Sequence, residues 1–96
     1  MLVWVIYDIS ENKRRSAVSR ICKGYGLYRV QKSAFLGALN SNELESLSLE
    51  CEERIDLGTD SVYVFPLCDD CFNKIKLLGE SFDKKLISNK IVTKFF

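Results

Sequence analysis

Asp8 is the side chain near the start of the sequence whose type and position best suit catalysis. It is the only charged residue in the apolar segment Leu2–Ile9, and it stands where that segment gives way to polar residues. A carboxylate there is an oxygen ligand suited to Mg²⁺ or Mn²⁺. One carboxylate makes a weak site, so a usable one requires two copies of the chain to bring their Asp8 side chains together, with waters completing the octahedron. The alternative is that Asp8 caps a following helix.

A set of basic side chains follows Asp8 and is the second candidate for chemistry. It consists of Lys13, Arg14, Arg15, Arg20, Arg29 and Lys32. Guanidinium groups bind phosphate oxygens in a fork, which suits a nucleic-acid backbone. Nothing in this set resembles a base-reading code, so we expect contacts to the backbone rather than to particular bases. The plainer interpretation is that about half of these side chains only pack against the protein or cap helices and do not bind a ligand.

The cysteines form the third candidate group, and the chain has four of them and no histidine. The absence of histidine excludes Ser-His-Asp and Cys-His catalysis and the usual histidine-containing zinc sites. Cys68 and Cys71 have the CxxC spacing of a metal or redox pair, although a tetrahedral zinc needs two more thiolates. We favour packing and turn chemistry for this pair. Cys22 and Cys51 fall in apolar helical patterns, where buried cysteines are common.

Composition points to one globular domain. The 96 residues are 47% apolar and 28% charged, which excludes disordered, collagen-like and low-complexity classes. The longest apolar run, residues 1–7, is far shorter than the roughly 20 residues of a transmembrane helix. It also lacks the basic start and cleavage site of a signal peptide, so we expect a cytoplasmic protein without membrane contact.

Charge is distributed unevenly along the chain although the net charge is only +1. Residues 12–42 contain seven basic side chains and no acid, whereas residues 43–60 contain seven acids and one arginine. Residues 84–96 add four lysines and no acid. A basic half can attract phosphate backbones even when the total charge is near zero. The alternative is that the two charged regions are solvent-exposed helix faces without a binding role.

Apolar periodicity predicts the elements that would position these residues. We expect strands at 2–9 and 60–67, an extended segment at 27–39 with a bend or tight hairpin near Gln31–Ser33, and helices at 11–23 and 43–57. Ser10 is a candidate cap for the first helix. Asn40–Asn42 offer caps for the second, with Asn42 and Glu45 as a candidate capping box, and Gly58 would end it. For the rest of the chain, we expect a turn or single helical turn at 68–73 and a short strand at 74–78. We expect an irregular segment at 79–89 and an edge strand at 90–96.

The predicted order is strand, helix, two strands, helix, strand, which is the α+β, ferredoxin-like βαββαβ order with an extra C-terminal strand. We divide the chain into a domain at 1–80 and a tail at 81–96. Strands 2–9 and 60–67 are apolar on both alternating faces, and the helices cover only one face. The other face needs a second cover, and the simplest is the same face of a second copy in a sheet-to-sheet homodimer.

Three stretches resemble the CRISPR-associated protein 2 family. They are Val5–Ile9, which ends in Tyr-Asp-Ile; Gly26–Gly37, which contains Arg-Val-Gln-Lys-Ser-Ala-Phe-Leu-Gly; and Val62–Cys71, which contains Phe-Pro-Leu-Cys. The second stretch, together with its spacing from the first, is the most specific of the three for this family. Ala34 stands where the family usually has valine.

The resemblance implies a ferredoxin-like homodimer with one divalent-metal site, for Mg²⁺ or Mn²⁺, formed by Asp8 of both chains. Asp8 matches the metal aspartate, and Arg15, Arg29 and Phe35 match residues associated with nuclease activity in some members. Members have been assigned metal-dependent endonuclease activity on RNA or double-stranded DNA. The family also bridges CRISPR integrase subunits during spacer acquisition, in antiviral defence.

Four functional hypotheses follow from these observations. The first is a magnesium-dependent endonuclease that uses Asp8, and the second is a structural bridge that holds duplex DNA and docks the integrase without catalysis. These two are compatible. The third is a toxin-like endoribonuclease of the virulence-associated D type. The fourth, a small ligand-sensing dimer, leaves the basic half unexplained.

Overall fold

A four-stranded antiparallel sheet with helices on one face forms the body of the protein. The computed structural model describes residues 1–76 and residue 78. Its elements are β1 (Leu2–Asp8), α1 (Asn12–Gly24), β2 (Tyr28–Gln31), β3 (Ala34–Ala38), α2 (Ser41–Arg54), β4 (Ser61–Leu67) and the short α3 (Asp69–Asn73). The strand order is β2-β3-β1-β4. The predicted α+β, ferredoxin-like arrangement is confirmed.

The helix-covered face of the sheet holds the main core. Val3, Val5 and Tyr7 alternate along β1 and pack with Phe35 and the inner faces of α1 and α2. Each helix contributes residues at helical spacing: Val18 and Cys22 from α1, Leu47 and Cys51 from α2. The apolar helical patterns that contain Cys22 and Cys51 are therefore buried, and both helical cysteines are core residues, as predicted.

The opposite face of the sheet divides into two halves. On the β2–β3 half, Val30, Leu36 and Ala38 are buried and pack with Trp4 and Ile75. On the β1–β4 half, three large apolar side chains remain exposed: Ile6 at 37%, Tyr63 at 53% and Phe65 at 46%. We call these three the open patch. The expectation concerned the second faces of β1 and β4. Those faces are uncovered at the open patch, whereas Leu2, Trp4 and Leu67 on them pack with the buried cluster.

The connection from α1 to the β2–β3 hairpin follows the predicted course. Helix α1 ends at Gly24, and Gly26 takes the positive φ of 79° that turns the chain. The hairpin turns at Lys32–Ser33, with a register shift between Arg29 and Gln31. A Cβ on Gly37 would lie 2.6 Å from Cδ2 and 3.1 Å from Cα of Leu27, so a larger residue there would displace the Leu27 side chain.

Several predicted boundaries and caps are wrong. Asn40, one of the candidate caps, is the N-cap of α2, but the capping box pairs it with Glu43 rather than pairing Asn42 with Glu45. The Asn-x-x-Glu spacing occurs at both places, and the earlier one starts the helix two residues sooner. The helix also ends at Arg54, well before Gly58. The N-cap of α1 is Glu11, without a side-chain capping bond, so neither Ser10 nor Asp8 caps it.

The C-terminal part of the chain is described only in part. The predicted helical turn after β4 is confirmed as α3. Lys74–Lys76 and Leu78 do not belong to a strand, contrary to the prediction for 74–78. The remaining predictions, an irregular 79–89, an edge strand at 90–96 and a tail at 81–96, lie outside the described residues. No helix in the described part has both the length and the apolar character needed to cross a membrane.

Candidate nucleic-acid interface

A cleft of about 610 Å³ lies between α1 and the β2–β3 hairpin. We call it the basic cleft. It is lined by Tyr7, Asn12, Arg15, Ser16, Ser19, Arg20, Lys23, Arg29, Lys32 and Ser33. Five of these side chains are cationic and none is acidic. A concave surface with charge of one sign focuses the electrostatic field and raises the local concentration of an oppositely charged ligand.

Helix α1 supplies most of the lining because its polar residues recur at helical spacing. Asn12, Ser16, Ser19 and Lys23 lie three or four positions apart, which aligns them along one side of the helix. The neighbouring stripe, with Val18 and Cys22, is buried against the sheet. Packing of the apolar stripe therefore fixes which side of α1 faces the hairpin.

Arg29 is held in place by two contacts at the inner side of the cleft. Its guanidinium donates a 2.6 Å hydrogen bond from Nη2 to Oγ of Ser19. The guanidinium carbon also lies 5.2 Å from the centroid of the Phe35 ring, in a cation–π arrangement. Phe35 is fully buried. It therefore acts as a platform that orients Arg29, and its ring is out of reach of a ligand.

Tyr7 extends the same aromatic platform. Its ring stacks on Phe35 with 6.3 Å between centroids, and its hydroxyl donates to the carbonyl oxygen of Lys32 at 3.3 Å. Burial raises the pKa of Tyr7, although Arg29 acts in the opposite direction. The hydroxyl thus stays protonated at neutral pH and links β1 to the hairpin turn.

Arg15 is fixed at the other end of the cleft. It donates from Nη1 to the carbonyl oxygen of Ile9 at 3.1 Å and from Nη2 to the side-chain oxygen of Asn12. These bonds leave further guanidinium donors for a ligand, since the group carries five N–H donors. Arg15 and Arg29 are thus preorganised, whereas Arg20 and Lys23 are exposed on the rim of the cleft.

Arg14 has a different environment from the other arginines of α1 and does not line the cleft. Its Nε lies 2.6 Å from Oδ2 of Asp60, and its Nη1 lies 2.7 Å from Oε2 of Glu11. Asp60 is buried and also accepts the Asp56 backbone N–H at 2.9 Å. Its hydrogen bond to Arg14 lowers the pKa of Asp60 to about 2. The pair ties α1 to the loop before β4.

Asp8 lies on the other face of the sheet. It pairs with Ser61 across β1 and β4 and alternates with Tyr7, which faces the helices. Its side chain is exposed beside the open patch. The structure therefore places the predicted metal carboxylate on the opposite face of the sheet from Arg29 and Phe35, whereas Arg15 reaches the carbonyl oxygen of Ile9, the residue next to Asp8.

The fit of a divalent cation to one chain is poor. Within residues 1–76 and 78, no group of three or more His, Cys, Asp or Glu side chains could hold a metal ion. Asp8 offers one exposed carboxylate, whereas Mg²⁺ requires near-octahedral oxygen coordination. A single chain thus supplies one ligand, and a metal site at Asp8 depends on a second copy.

Some residues of the cleft escape prediction from the sequence. Of the predicted basic set, Arg15, Arg20, Arg29 and Lys32 line the cleft, whereas Lys13 and Arg14 do not. Lys23, which the charge count includes, also belongs to the lining, and the helical spacing from Ser19 could have identified it. Ser19 carries no such signal, because a buried serine is recognised only from its contact with Arg29.

The fold and the cleft define a small protein of the ferredoxin-like class with an anion-attracting surface on the helix side of its sheet. Comparison with known proteins gives its family. Residues 1–75 match the family model described as CRISPR associated protein Cas2, and the chain belongs to this family.

Known members of the family resemble the chain over most of its described part. It is 46% identical over 68 residues to the CRISPR-associated endoribonuclease Cas2 of Korarchaeum cryptofilum, which covers 70% of this chain and 72% of that protein. It is 38% identical over 71 residues to an endoribonuclease Cas2 of Archaeoglobus fulgidus, with coverage of 74% and 76%. The crystal structure of Streptococcus pyogenes Cas2 superposes with a TM-score of 0.72 at 30% identity, covering 82% of this chain and all of that one.

Proposed function

We propose that this protein is a homodimeric endonuclease of a CRISPR system that binds nucleic-acid backbone in its basic cleft. Family membership supports the activity, since the relatives from K. cryptofilum and A. fulgidus are named endoribonucleases. The observation that carries the binding function is the cleft itself, with five cations and no acid among its lining residues. Such a surface binds phosphates through Coulomb attraction and counterion release.

A second copy on the open patch is the first requirement of the proposal. Ile6, Tyr63 and Phe65 form an exposed apolar surface on β1 and β4, and Tyr63 and Phe65 stack with 6.2 Å between their centroids. A twofold axis through this surface would bury both patches against each other. It would also bring the two Asp8 carboxylates, which border the patch, toward the axis.

Hydrolysis is the second part of the proposal and belongs to Asp8. A Mg²⁺ or Mn²⁺ ion bound by both carboxylates would polarise a phosphodiester and lower the pKa of a bound water. The side chains of the basic cleft then serve in binding: Arg15 and Arg29 hold phosphate oxygens in fixed orientations, and Arg20, Lys23 and Lys32 add charge. Phe35 and Ser19 keep Arg29 directed into the cleft.

A bridging role in spacer acquisition is the second candidate function. In this role the dimer holds double-stranded DNA and contacts CRISPR integrase subunits, and the integrase performs the chemistry. The separation of Asp8 from the basic cleft favours it, because backbone binding on the helix side does not depend on the carboxylate. The virulence-associated D and ligand-sensing alternatives lose support through the family match.

Cleavage assays on Asp8→Asn test the nuclease function. Wild type and variant are incubated with Mg²⁺, Mn²⁺ or EDTA on labelled single-stranded RNA and duplex DNA. We expect metal-dependent cleavage by the wild type and, in the variant, a fall to the level seen with EDTA. Glu45→Gln is the matched control, since Glu45 is an exposed carboxylate on α2, away from the sheet face that bears Asp8.

The remaining outcomes separate the two candidate functions. Cleavage that survives in Asp8→Asn contradicts hydrolysis at this carboxylate. If neither protein cleaves and both bind duplex DNA with the same salt dependence, the bridging role is favoured. A wild-type protein that does not bind nucleic acid even at low salt would contradict both functions.

A further inference from the structure

Cys68 and Cys71 lie together on the surface, away from the basic cleft and Asp8. Cys68 directly follows β4 and Cys71 lies in α3, and both side chains are exposed. Their sulfur atoms are 3.1 Å apart. They lie at the end of β4 that pairs with Leu2, whereas Asp8 pairs at the other end with Ser61.

Their exposure excludes the predicted packing role but leaves the role in turn chemistry. The backbone N–H of Cys71 donates to Sγ of Cys68 at 3.3 Å, so the first cysteine stabilises the turn into α3. A serine or aspartate at position 68 would perform that capping role equally well. Capping therefore accounts for Cys68 and does not account for a second sulfur in contact with it.

The sulfur separation is close to what a disulfide requires. An S–S bond is about 2.05 Å long, so closing the gap needs a movement of about 1 Å, within reach of side-chain rotation. A zinc site fits less well, because the part of the chain described contains no third ligand near the pair. Two neighbouring, solvent-accessible thiols with CxxC spacing are the arrangement of a redox pair.

The two thiols also differ in acidity. Hydrogen bonding from the Cys71 side chain, followed by that from the Cys71 backbone N–H, lowers the pKa of Cys68. The same interaction with Cys68 raises the pKa of Cys71. The thiolate is the nucleophilic form of cysteine. Cys68 is thus suited to attack a disulfide, and Cys71 is suited to resolve the product.

We propose that Cys68 and Cys71 form a reactive dithiol that small-molecule disulfides such as oxidised glutathione convert reversibly to an intramolecular disulfide. The Cys68 thiolate attacks one sulfur of the oxidant, which breaks its S–S bond, forms a mixed disulfide and releases one thiolate. The Cys71 thiolate then attacks Sγ of Cys68 and releases the second thiolate. The two protons of the cysteines go to the two released thiolates. The dithiol loses two electrons, which reduce the oxidant.

The buried cysteines provide an internal control. Cys22 and Cys51 lie in the core between α1, α2 and the sheet. Their mutual hydrogen bond raises the pKa of Cys22 and lowers that of Cys51, so burial rather than acidity is what the two share. A thiol that is buried out of reach of reagents reacts slowly with disulfides and alkylating agents. We therefore expect oxidation to stop at Cys68 and Cys71.

Thiol trapping in glutathione buffers tests the proposal. The full chain is equilibrated at graded ratios of oxidised to reduced glutathione, quenched with acid, alkylated with iodoacetamide after unfolding, and analysed by peptide mass spectrometry. After equilibration in oxidising buffers, the peptide that contains Cys68 and Cys71 should carry no alkyl adducts, because its two thiols are joined in a disulfide. Cys22 and Cys51 should still be alkylated. Reduced glutathione should restore them. Full alkylation of all four cysteines in the most oxidising buffer would overturn the proposal.

Single substitutions test the order of attack. Cys71→Ser should accumulate the glutathione mixed disulfide at Cys68, because no thiol remains to resolve it. Cys68→Ser should accumulate at least about fivefold less adduct at Cys71 after the same brief exposure, since that thiol is the less acidic one. Equal adduct levels would contradict the assigned order. Stoichiometric zinc that is retained through dialysis and blocks oxidation of the wild type would identify a metal-ligand pair instead.

Discussion

The two faces of the sheet differ in what a single chain can accomplish. The helix-covered face carries a complete arrangement, in which Phe35 and Ser19 orient Arg29 toward a cleft lined by cations. The other face carries Asp8 beside the exposed open patch, and one carboxylate does not make a metal site. Under the proposed function, backbone binding would therefore be a property of each chain, whereas hydrolysis would be a property of the assembly.

Removing the aromatic platform should give the largest effect. Phe35→Ala deletes a fully buried ring, and we expect the free energy of unfolding to fall by about 3–5 kcal/mol. Urea unfolding measures this loss. Phe65→Ala, on the half-exposed open patch, should cost less than about 1 kcal/mol at protein concentrations where the chain is monomeric. Equal losses would mean that the two faces are equally buried.

Placing a charge on the open patch should separate the functions of the two faces. Phe65→Glu should weaken self-association at least about 30-fold, because an unpaired charge would be buried at the centre of the interface. Light scattering at micromolar concentration measures the shift to monomer. Leu49→Glu is the control, since Leu49 is an exposed apolar residue on α2. A Phe65→Glu protein that stays dimeric would place the interface elsewhere.

Removing the two exposed charges of Arg20 and Lys23 from the basic cleft should act on binding alone. Arg20→Ala with Lys23→Ala should lower the slope of log binding constant against log salt concentration by about one to two units. Filter binding of duplex DNA at graded salt measures the slope. Lys13→Ala with Arg54→Ala is matched in charge, exposed, and outside the cleft lining, so its slope should remain that of the wild type. A loss shared equally by both double variants would indicate nonspecific attraction.

Breaking the ion pair between Arg14 and Asp60 should have the smallest effect on the difference between the two faces of the sheet. The pair supports α1 but does not line the cleft. The folded pKa of Asp60, about 2, lies below its usual value of about 3.9. The pair therefore contributes stability above about pH 4, and this contribution is lost as pH falls toward 2. Asp60→Asn should be less stable than the wild type at pH 7, and the difference should shrink below pH 4.

The experiment is urea unfolding across that pH range, with Asp70→Asn as control. Asp70 is exposed, with its carboxylate 3.8 Å from the Lys74 ammonium, and a surface pair of this kind contributes little. Its removal should leave the pH profile unchanged. A constant gap between Asp60→Asn and wild type from pH 7 to 2 would contradict the assigned role.

The elements could be predicted from the sequence better than their ends. Apolar spacing identified β1, both long helices, the hairpin and β4, because each element buries one face and the pattern records it. The caps failed where local signals were ambiguous: Asn40 and Asn42 both precede a glutamate by three residues, and only the packed structure distinguishes them. The second apolar face of β1 and β4 is exposed at Ile6, Tyr63 and Phe65, as the alternation predicted, but the sequence did not indicate that Leu2, Trp4 and Leu67 pack with a buried cluster on the same side.

The candidate site was predictable in composition and not in arrangement. The concentration of arginine and lysine in residues 12–42 pointed to the region that forms the cleft. Whether a particular arginine faces a ligand or an internal acid depends on residues far away in the chain. Arg14 illustrates this dependence, because its partner Asp60 lies 46 positions later, and Arg29 depends in the same way on Ser19.

The sequence by itself determined the order of elements, the buried stripes and the polarity of charge, because these are local patterns with periods of about two and 3.6 residues. Only the tertiary structure decided which side of the sheet each functional residue occupies. Tyr7 and Asp8 are adjacent in sequence and lie on opposite faces, because successive strand residues alternate. The packing of α1 and α2 chose one of those faces for the cleft and left the carboxylate on the other.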